Sequence, residues 1–374
     1  MHLRPGRVRS TVIRLLDEPP LLIQRQARIF SKGVYTHYPF QANLHGLDKE
    51  TIAECLTAFI EAQKALDETA PPPATFEEFI YRYLGAGIAR HFMIPYNARL
   101  WGVHPRDITA DWCKRFVPRP SVEAVVRGAV GLPQDAMGYN AEFFYPPDGI
   151  EALPRAFADR VRNIEYAAAP TAVDAKKRRL LINGEWFSYE ALVTTIPMDA
   201  LMSLMMSAPK AVRDAAAGLR CTQLRYLDVA LNRPVGTPYH WTYVPERKYP
   251  FYRVGCYSNF SPNTAPKNKA GLYVELASRS PVRIDTLLPK VAEGLREMDV
   301  IRSASDIEFV RPRVIPNSYV VYNRDYTRAT SMILSWLEEN RIYSAGRYAR
   351  WEYAAMEDAV EQGFAAADKI KDLH

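Results

Sequence analysis

Residues 344–364 read Ser344-Ala-Gly-Arg-Tyr-Ala-Arg-Trp-Glu-Tyr-Ala-Ala-Met-Glu-Asp-Ala-Val-Glu-Gln-Gly-Phe364. The approach, Arg341-Ile-Tyr-Ser344, is apolar and strand-like. Gly346 supplies a turn and Arg347 a guanidinium. From Met356 the apolar residues Met356, Val360, Phe364 and Ala367 fall on one face of a 3.6-residue period, which predicts a helix. Glu357 and Asp358 stand in its first turn, where the helix dipole favours negative charge. A strand, a Gly-Arg turn and a helix start offer backbone N–H groups and a fixed cation to a polar or anionic cofactor edge. The same pattern suits a C-terminal helix that closes a domain, with Arg347 in a surface ion pair. Both readings stand at this point.

Working outward, 374 residues exceed one ordinary domain, so two or three are expected. The composition, 48% apolar and 24% charged, supplies ample core. A formal charge of +6 suits an anionic small molecule better than nucleic acid, which calls for a concentrated basic stripe. The one basic cluster, Lys176-Lys-Arg-Arg179, reads as the exposed start of a hairpin. Cys55, Cys113, Cys221 and Cys256 are far apart, so neither a zinc site nor a disulfide framework is expected, and reduced thiols in a cytoplasmic setting fit best. No apolar run nears the ~18 residues of a transmembrane helix, and no signal core follows the basic start.

Val8–Leu16, Leu21–Ile23 and Arg28–Phe30 read as strands in hairpin-like connections. Asp48 reads as the N-cap of an amphipathic helix over 49–66, and Thr75-Phe-Glu-Glu78 as a capping box opening a second helix to about Arg90. Gly85-Ala-Gly lies inside that helix and follows no strand, so close helix packing explains it better than a nucleotide loop. A strand at 141–145, a turn at 146–149 and a helix from Ile150 to about Val161 follow. Leu192–Pro197 reads as a buried strand end and Met198–Leu219 as helical. Residues 224–314 are mostly short strands interrupted by one helix near 284–298. This suggests an antiparallel sheet with a helical layer.

No Gly-x-Ser-x-Gly, His-Glu-x-x-His or Walker loop is present. Arginine, tyrosine, tryptophan and side-chain amides instead recur together, at Tyr38–Gln41, Asn97–Trp101, Trp241–Arg253, Tyr319–Tyr322 and Arg347–Tyr353. Such a set can stack on a base and clamp a diphosphate.

These segments resemble the UDP-galactopyranose mutase family, especially its eukaryotic-type branch, and the related flavin amine oxidases and protoporphyrinogen oxidases. The resemblance runs in order from about Tyr38 to Ile370. It rests on Tyr38-Pro-Phe-Gln-Ala-Asn, Pro95-Tyr-Asn-Ala-Arg-Leu-Trp, Trp241-Thr-Tyr-Val-Pro-Glu, Phe251-Tyr-Arg, Tyr257-Ser-Asn-Phe-Ser-Pro and the Gly-Arg stretch. It implies an α/β and α+β multidomain fold with three parts. These are an incomplete Rossmann-like FAD-binding domain (1–36, 139–200 and 338–374), a helical substrate-side domain (37–138) and an antiparallel-sheet domain (201–337). By position it implies that Tyr38, Phe40 and Gln41 hold a uracil and that Asn97 and Trp101 line the ribose side. Arg253, Tyr243, Tyr322 and Tyr353 would grip a diphosphate. Gly346, Arg347 and the backbone at Met356, Glu357 and Asp358 would face FAD. No metal and no side-chain nucleophile are implied. The implied reaction interconverts pyranose and furanose rings of a UDP-sugar through a flavin N5–sugar adduct, without net redox.

The resemblance begins beyond the family's glycine-rich βαβ unit, so a truncated, FAD-poor chain is expected. Phe116 stands where the family pattern puts a substrate arginine. Arg115 beside it is rotated by ~100° on a helix. Asp148 replaces a turn glycine on the flavin side. A flavin oxidoreductase acting on a less polar substrate and a non-catalytic remnant therefore stay open beside the mutase. The partner is expected to be a nucleotide-sugar or other small molecule, not nucleic acid. The sequence leaves open whether the chain forms a homo-oligomer.

Overall fold

A computed structural model describes residues 1–132, 137, 141–278, 280–281 and 283–373. The N-terminal part contains α1 (Arg7–Leu15), β1 (Leu21–Gln24), β2 (Ala27–Ser31), β3 (Val34–His37), α2 (Lys49–Lys64), α3 (Phe76–Ile88), α4 (Ile94–Trp101), α5 (Cys113–Phe116) and α6 (Val122–Ala129). Then come β4 (Glu142–Tyr145), α7 (Ala152–Ala158), β5 (Pro170–Asp174), β6 (Arg179–Ile182), β7 (Glu185–Ser188), β8 (Leu192–Thr194), α8 (Met198–Leu204) and α9 (Lys210–Ala217). The rest is β9 (Cys221–Leu231), β10 (Trp241–Tyr243), β11 (Phe251–Cys256), β12 (Ala270–Leu276), α10 (Ile284–Glu297), β13 (Ile307–Val320), α11 (Tyr326–Glu339), β14 (Ile342–Ser344) and α12 (Met356–Lys371). No helix among the described residues is long and apolar enough to cross a membrane.

These elements form two units. One comprises residues 1–20, 150–221 and 319–374. Within it β8 and β14 pair in parallel, β5–β6–β7 form an antiparallel meander, and α1 packs against α7 and α12. The basic cluster stands at the β5–β6 turn, and Asn183-Gly184, both at positive φ, close the next hairpin.

The other unit comprises residues 21–149 and 222–318. Its seven-stranded sheet has the order β13-β9-β12-β11-β10-β2-β3. The pairs β9–β12, β12–β11, β11–β10 and β2–β3 are antiparallel, whereas β10 and β2 run parallel. Alternation along these strands separates two faces. Leu227, Val229, Leu272, Val274, Val254 and Cys256 point one way and bury against Val291 and Leu295 of α10 and Met298 just after it. Tyr226, Asp228, Tyr273, Glu275, Arg253 and Tyr243 occupy the alternate positions, on the opposite face. Helices α2 and α3 pack closely because Gly85 and Gly87 lack side chains. A Cβ on Gly85 would lie 2.3 Å from the Ala58 carbonyl oxygen, and one on Gly87 would lie 2.6 Å from Cys55 Cα.

The structure corrects several local expectations. Residues 8–16 are not strand but mostly α1. Val8 and Val12 are buried one turn apart while arginines face outward, a helical period in a stretch too short to read by composition. Strand β1 pairs with β4 across the chain rather than in a hairpin. Met198–Leu219 holds two helices, α8 and α9, the second starting after Pro209. Strand β5 is an additional element, whereas β6 and β7 form the hairpin expected after the basic cluster. The start of the expected 139–200 segment, at 139–140, lies outside the described residues.

Candidate functional site

In the sheet unit the predicted residues fall into two sets. Tyr38, Tyr243 and Arg253 come together. Tyr243 and Arg253 are direct cross-strand partners, and the Tyr38 ring lies 5.3 Å from that of Tyr243, centroid to centroid. Arg25 covers the other ring, 4.7 Å from the Tyr38 centroid. Arg253 donates from Nε to Glu275 Oε1 at 2.9 Å, and its Nη2 reaches the same oxygen. Its side chain is about one quarter exposed (24%).

Phe40, Gln41, Asn97 and Trp101 form the second set, and all are buried. Phe40 stacks on Phe92 and Phe92 on Tyr96, which meets Tyr243 edge-on. Gln41 Nε2 donates to the Pro118 carbonyl at 3.1 Å, and Asn97 Nδ2 to that of Met93 at 2.7 Å. Trp101 packs on Trp112. These residues build the wall behind the tyrosines. Phe116 also packs near Trp112, and Asp148 Oδ1 accepts from Asn263 Nδ2 at 2.9 Å.

Two residues that sequence reading missed hold this arrangement. Arg99 on α4 is buried and donates to the carbonyls of Val244, Glu246 and Tyr249 in the β10–β11 connection and of Phe251 at the start of β11. Burial pushes its pKa down to about 10. Glu275 is the other. Its signal was a single acid inside an otherwise apolar strand, Ala270-Gly-Leu-Tyr-Val-Glu-Leu276.

In the second unit the Gly-Arg stretch forms the predicted strand, turn and helix. Gly346 takes φ +89°, open only to glycine without strain. Arg347 is flanked by Tyr353 and Tyr319, with ring centroids 4.7 and 5.1 Å from its Cζ. Its Nε and Nη2 are buried and meet no hydrogen-bond acceptor among the described residues. The bland alternative, a surface ion pair, therefore does not describe Arg347. Tyr322 Oη accepts the Tyr353 backbone N–H at 2.7 Å, and Tyr326 Oη donates to the Trp351 carbonyl at 2.6 Å. Burial, with Tyr322 beside it, pushes the Tyr326 phenol well up.

The helix start is more self-contained than expected. The Gly346 N–H donates to Gln362 Oε1 at 2.7 Å. Glu357 accepts the Arg4 N–H and Nε, each at 2.7 Å, while Asp358 accepts the Ala355 N–H. The Met356 side chain is exposed. Arg347 Nε and Nη2 are thus unmet donors here, as are Trp351 Nε1 and the Ser344 hydroxyl, and Arg347 is the charged one among the described residues. A guanidinium with two buried, unmet donors fits the polar edge or phosphate of a flavin nucleotide.

A mixed α/β scaffold with these sites has the fold of a flavoprotein oxidoreductase. The family of flavin-containing amine oxidoreductases matches residues 122–371, more than half of the chain, and the chain belongs to it. Among solved structures, a reduced UDP-galactopyranose mutase superposes with TM-score 0.90 at 24% identity, over 98% of this chain and 82% of that one. A candidate protoporphyrinogen oxidase from Exiguobacterium sp. 255-15 gives 0.71 at 14% identity, over 94% and 82%. A redesigned putrescine oxidase gives 0.62 at 11% identity, over 97% and 85%. The family implies a flavin cofactor.

Proposed function

We propose that the protein is a flavin-dependent nucleotide-sugar mutase of the UDP-galactopyranose mutase type, with FAD as its flavin. The observation that carries this reading is the Tyr38–Tyr243–Arg253 constellation. Two aromatic rings offer stacking surface to a base, and a partly exposed guanidinium is held beside them for a diphosphate. Phe40, Gln41, Asn97 and Trp101 shape the wall of this site. Arg347 takes the flavin's acceptor atoms, with Tyr319, Tyr322 and Tyr353 fixing its setting and the start of α12 lying beside it.

Reduced flavin, when bound, supplies the nucleophile for a ring isomerisation without net redox. Arg253 stabilises the charge that grows on the departing diphosphate, a preorganised electrostatic contribution. A second reading, a flavin oxidase with a less polar substrate, is favoured by Phe116, which packs near Trp112 where a substrate arginine is expected.

Titration of UDP into dithionite-reduced, flavin-loaded protein tests the mutase reading. Binding in the micromolar range is expected, weakened at least about tenfold in Arg253→Ala, together with interconversion of UDP-galactopyranose and UDP-galactofuranose. Absence of UDP binding refutes it. Peroxide release with an amine or porphyrinogen substrate would establish the second reading.

A further inference from the structure

Four adjacent strands contribute one residue each to a single row. Tyr243 on β10 faces Arg253 on β11, Arg253 faces Glu275 on β12, and Glu275 faces Tyr226 on β9. Residues directly opposite share a face. The row therefore runs aromatic, cation, anion, aromatic, on the face turned away from α10. The register shifts between Phe251 and Arg253, a bulge of the kind that re-aims a side chain.

The ion pair in this row is lopsided. Both Nε and Nη2 of Arg253 go to Glu275 Oε1. Oε2 is buried and receives no hydrogen bond among the described residues. This is not the parallel fork that spreads charge over both oxygens. Asp228, which sits beside Tyr226 on the same face, has its own cation in Arg313, 2.9 Å away. Glu275 is only 4% exposed, whereas Arg253 is about one quarter open. An anion reaching the guanidinium from its exposed side therefore also meets the field of a buried carboxylate that water screens little.

We propose that Glu275 is a built-in competitor for Arg253: it holds the guanidinium in line and weakens the affinity of the row for an anionic ligand. The inference rests on the reading that Arg253 receives a nucleotide diphosphate. Glu275 acts through Arg253 and is a positioning residue. A weakened grip helps turnover at one step, release of the diphosphate-bearing product, where no charge is developing on the ligand.

The two roles have opposite signs, which separates them from a merely structural one. In flavin-loaded, reduced protein, Glu275→Gln keeps an acceptor for Arg253 and removes the charge. It is expected to bind UDP about tenfold more tightly, with a lower KM. Glu275→Ala removes both acceptor and charge and is expected to bind more weakly than wild type. If Gln and Ala weaken UDP binding alike, the inference fails while the mutase reading stands. If wild type binds no UDP, the reading fails and the inference with it. Should Glu275→Gln not fold, Glu275→Asp takes its place. The shorter carboxylate draws back from the guanidinium, so a smaller tightening is expected, and weakening overturns the proposal.

Discussion

Arg347 illustrates how much one side chain can hold in reserve. Its buried Nε and Nη2 meet no acceptor among the described residues, while Tyr319 and Tyr353 lie against its cation. An unsatisfied buried donor costs about 1–3 kcal/mol, and the cation–π contacts return about 0.5–1 kcal/mol. Arg347→Met is therefore expected to stabilise the flavin-free protein by about 1 kcal/mol while weakening flavin binding. Urea unfolding of the flavin-free protein and flavin fluorescence titration check the two halves. A loss of stability without flavin would refute the idea that these donors wait for a ligand. At this scale the sequence was partly legible. Gly346-Arg347 stands out because a turn glycine beside an arginine has a mechanical meaning. The unmet state does not, because it depends on Tyr319, contributed by a distant strand end. Phe40 and Trp101 show the converse. Both read as ligand aromatics, and both are buried in packing, the commoner fate of an aromatic ring.

At the scale of elements, legibility followed periodicity and capping. Helices α2 and α3 begin where Asp48 and Thr75 accept the Thr51 and Glu78 N–H groups, as their cap residues suggest. Helix α1 was misread because its two buried valines and scattered arginines fit a strand fragment equally well until packing on α7 and α12 selects the helical face. Nothing in the sequence shows that α4 carries the clamp for another element. Arg99 gathers three carbonyls of the β10–β11 connection and that of Phe251 at the start of β11, and the flanking strands carry Tyr243 and Arg253. Arg99→Ala leaves those carbonyls without their shared donor and is expected to cost about 1–3 kcal/mol. Lysine, with one donor point instead of a planar fork, is expected to recover less than half of that. Thermal unfolding of the two variants checks this. Wild-type stability in Arg99→Ala would show that the connection holds itself.

For the molecule as a whole, the family was readable because its motifs persist in order, whereas the long-range seams were not. The seven-stranded sheet depends on a parallel junction between β2 and β10, more than 200 residues apart in the chain, and no local pattern encodes such a pairing. His240 sits at that junction. Its Nδ1 accepts the Gln26 backbone N–H at 2.9 Å, and the His240 backbone N–H donates to the Gln26 carbonyl at 2.9 Å. The ring is buried among Phe143, Trp241 and Phe260. Burial lowers its pKa from the ordinary 6.5. Protonation would remove the acceptor and place a charge among aromatic rings. Because the folded pKa is depressed, the unfolded chain takes up the proton first as pH falls. The stabilisation is complete above pH 6.5 and is lost between 6.5 and the lower folded value, by about 1.4 kcal/mol for each pH unit separating the two. The urea midpoint is therefore expected to fall between pH 7.5 and 5.5. Carboxylates titrate mainly below this range, so the slope within it reports His240, His37, whose pKa burial and Arg28 also lower, and the Met1 amino group, whose pKa burial lowers to about 6. His240→Asn, which retains an acceptor that takes no proton, is expected to flatten the profile, and an unchanged slope in that variant would remove His240 from the seam.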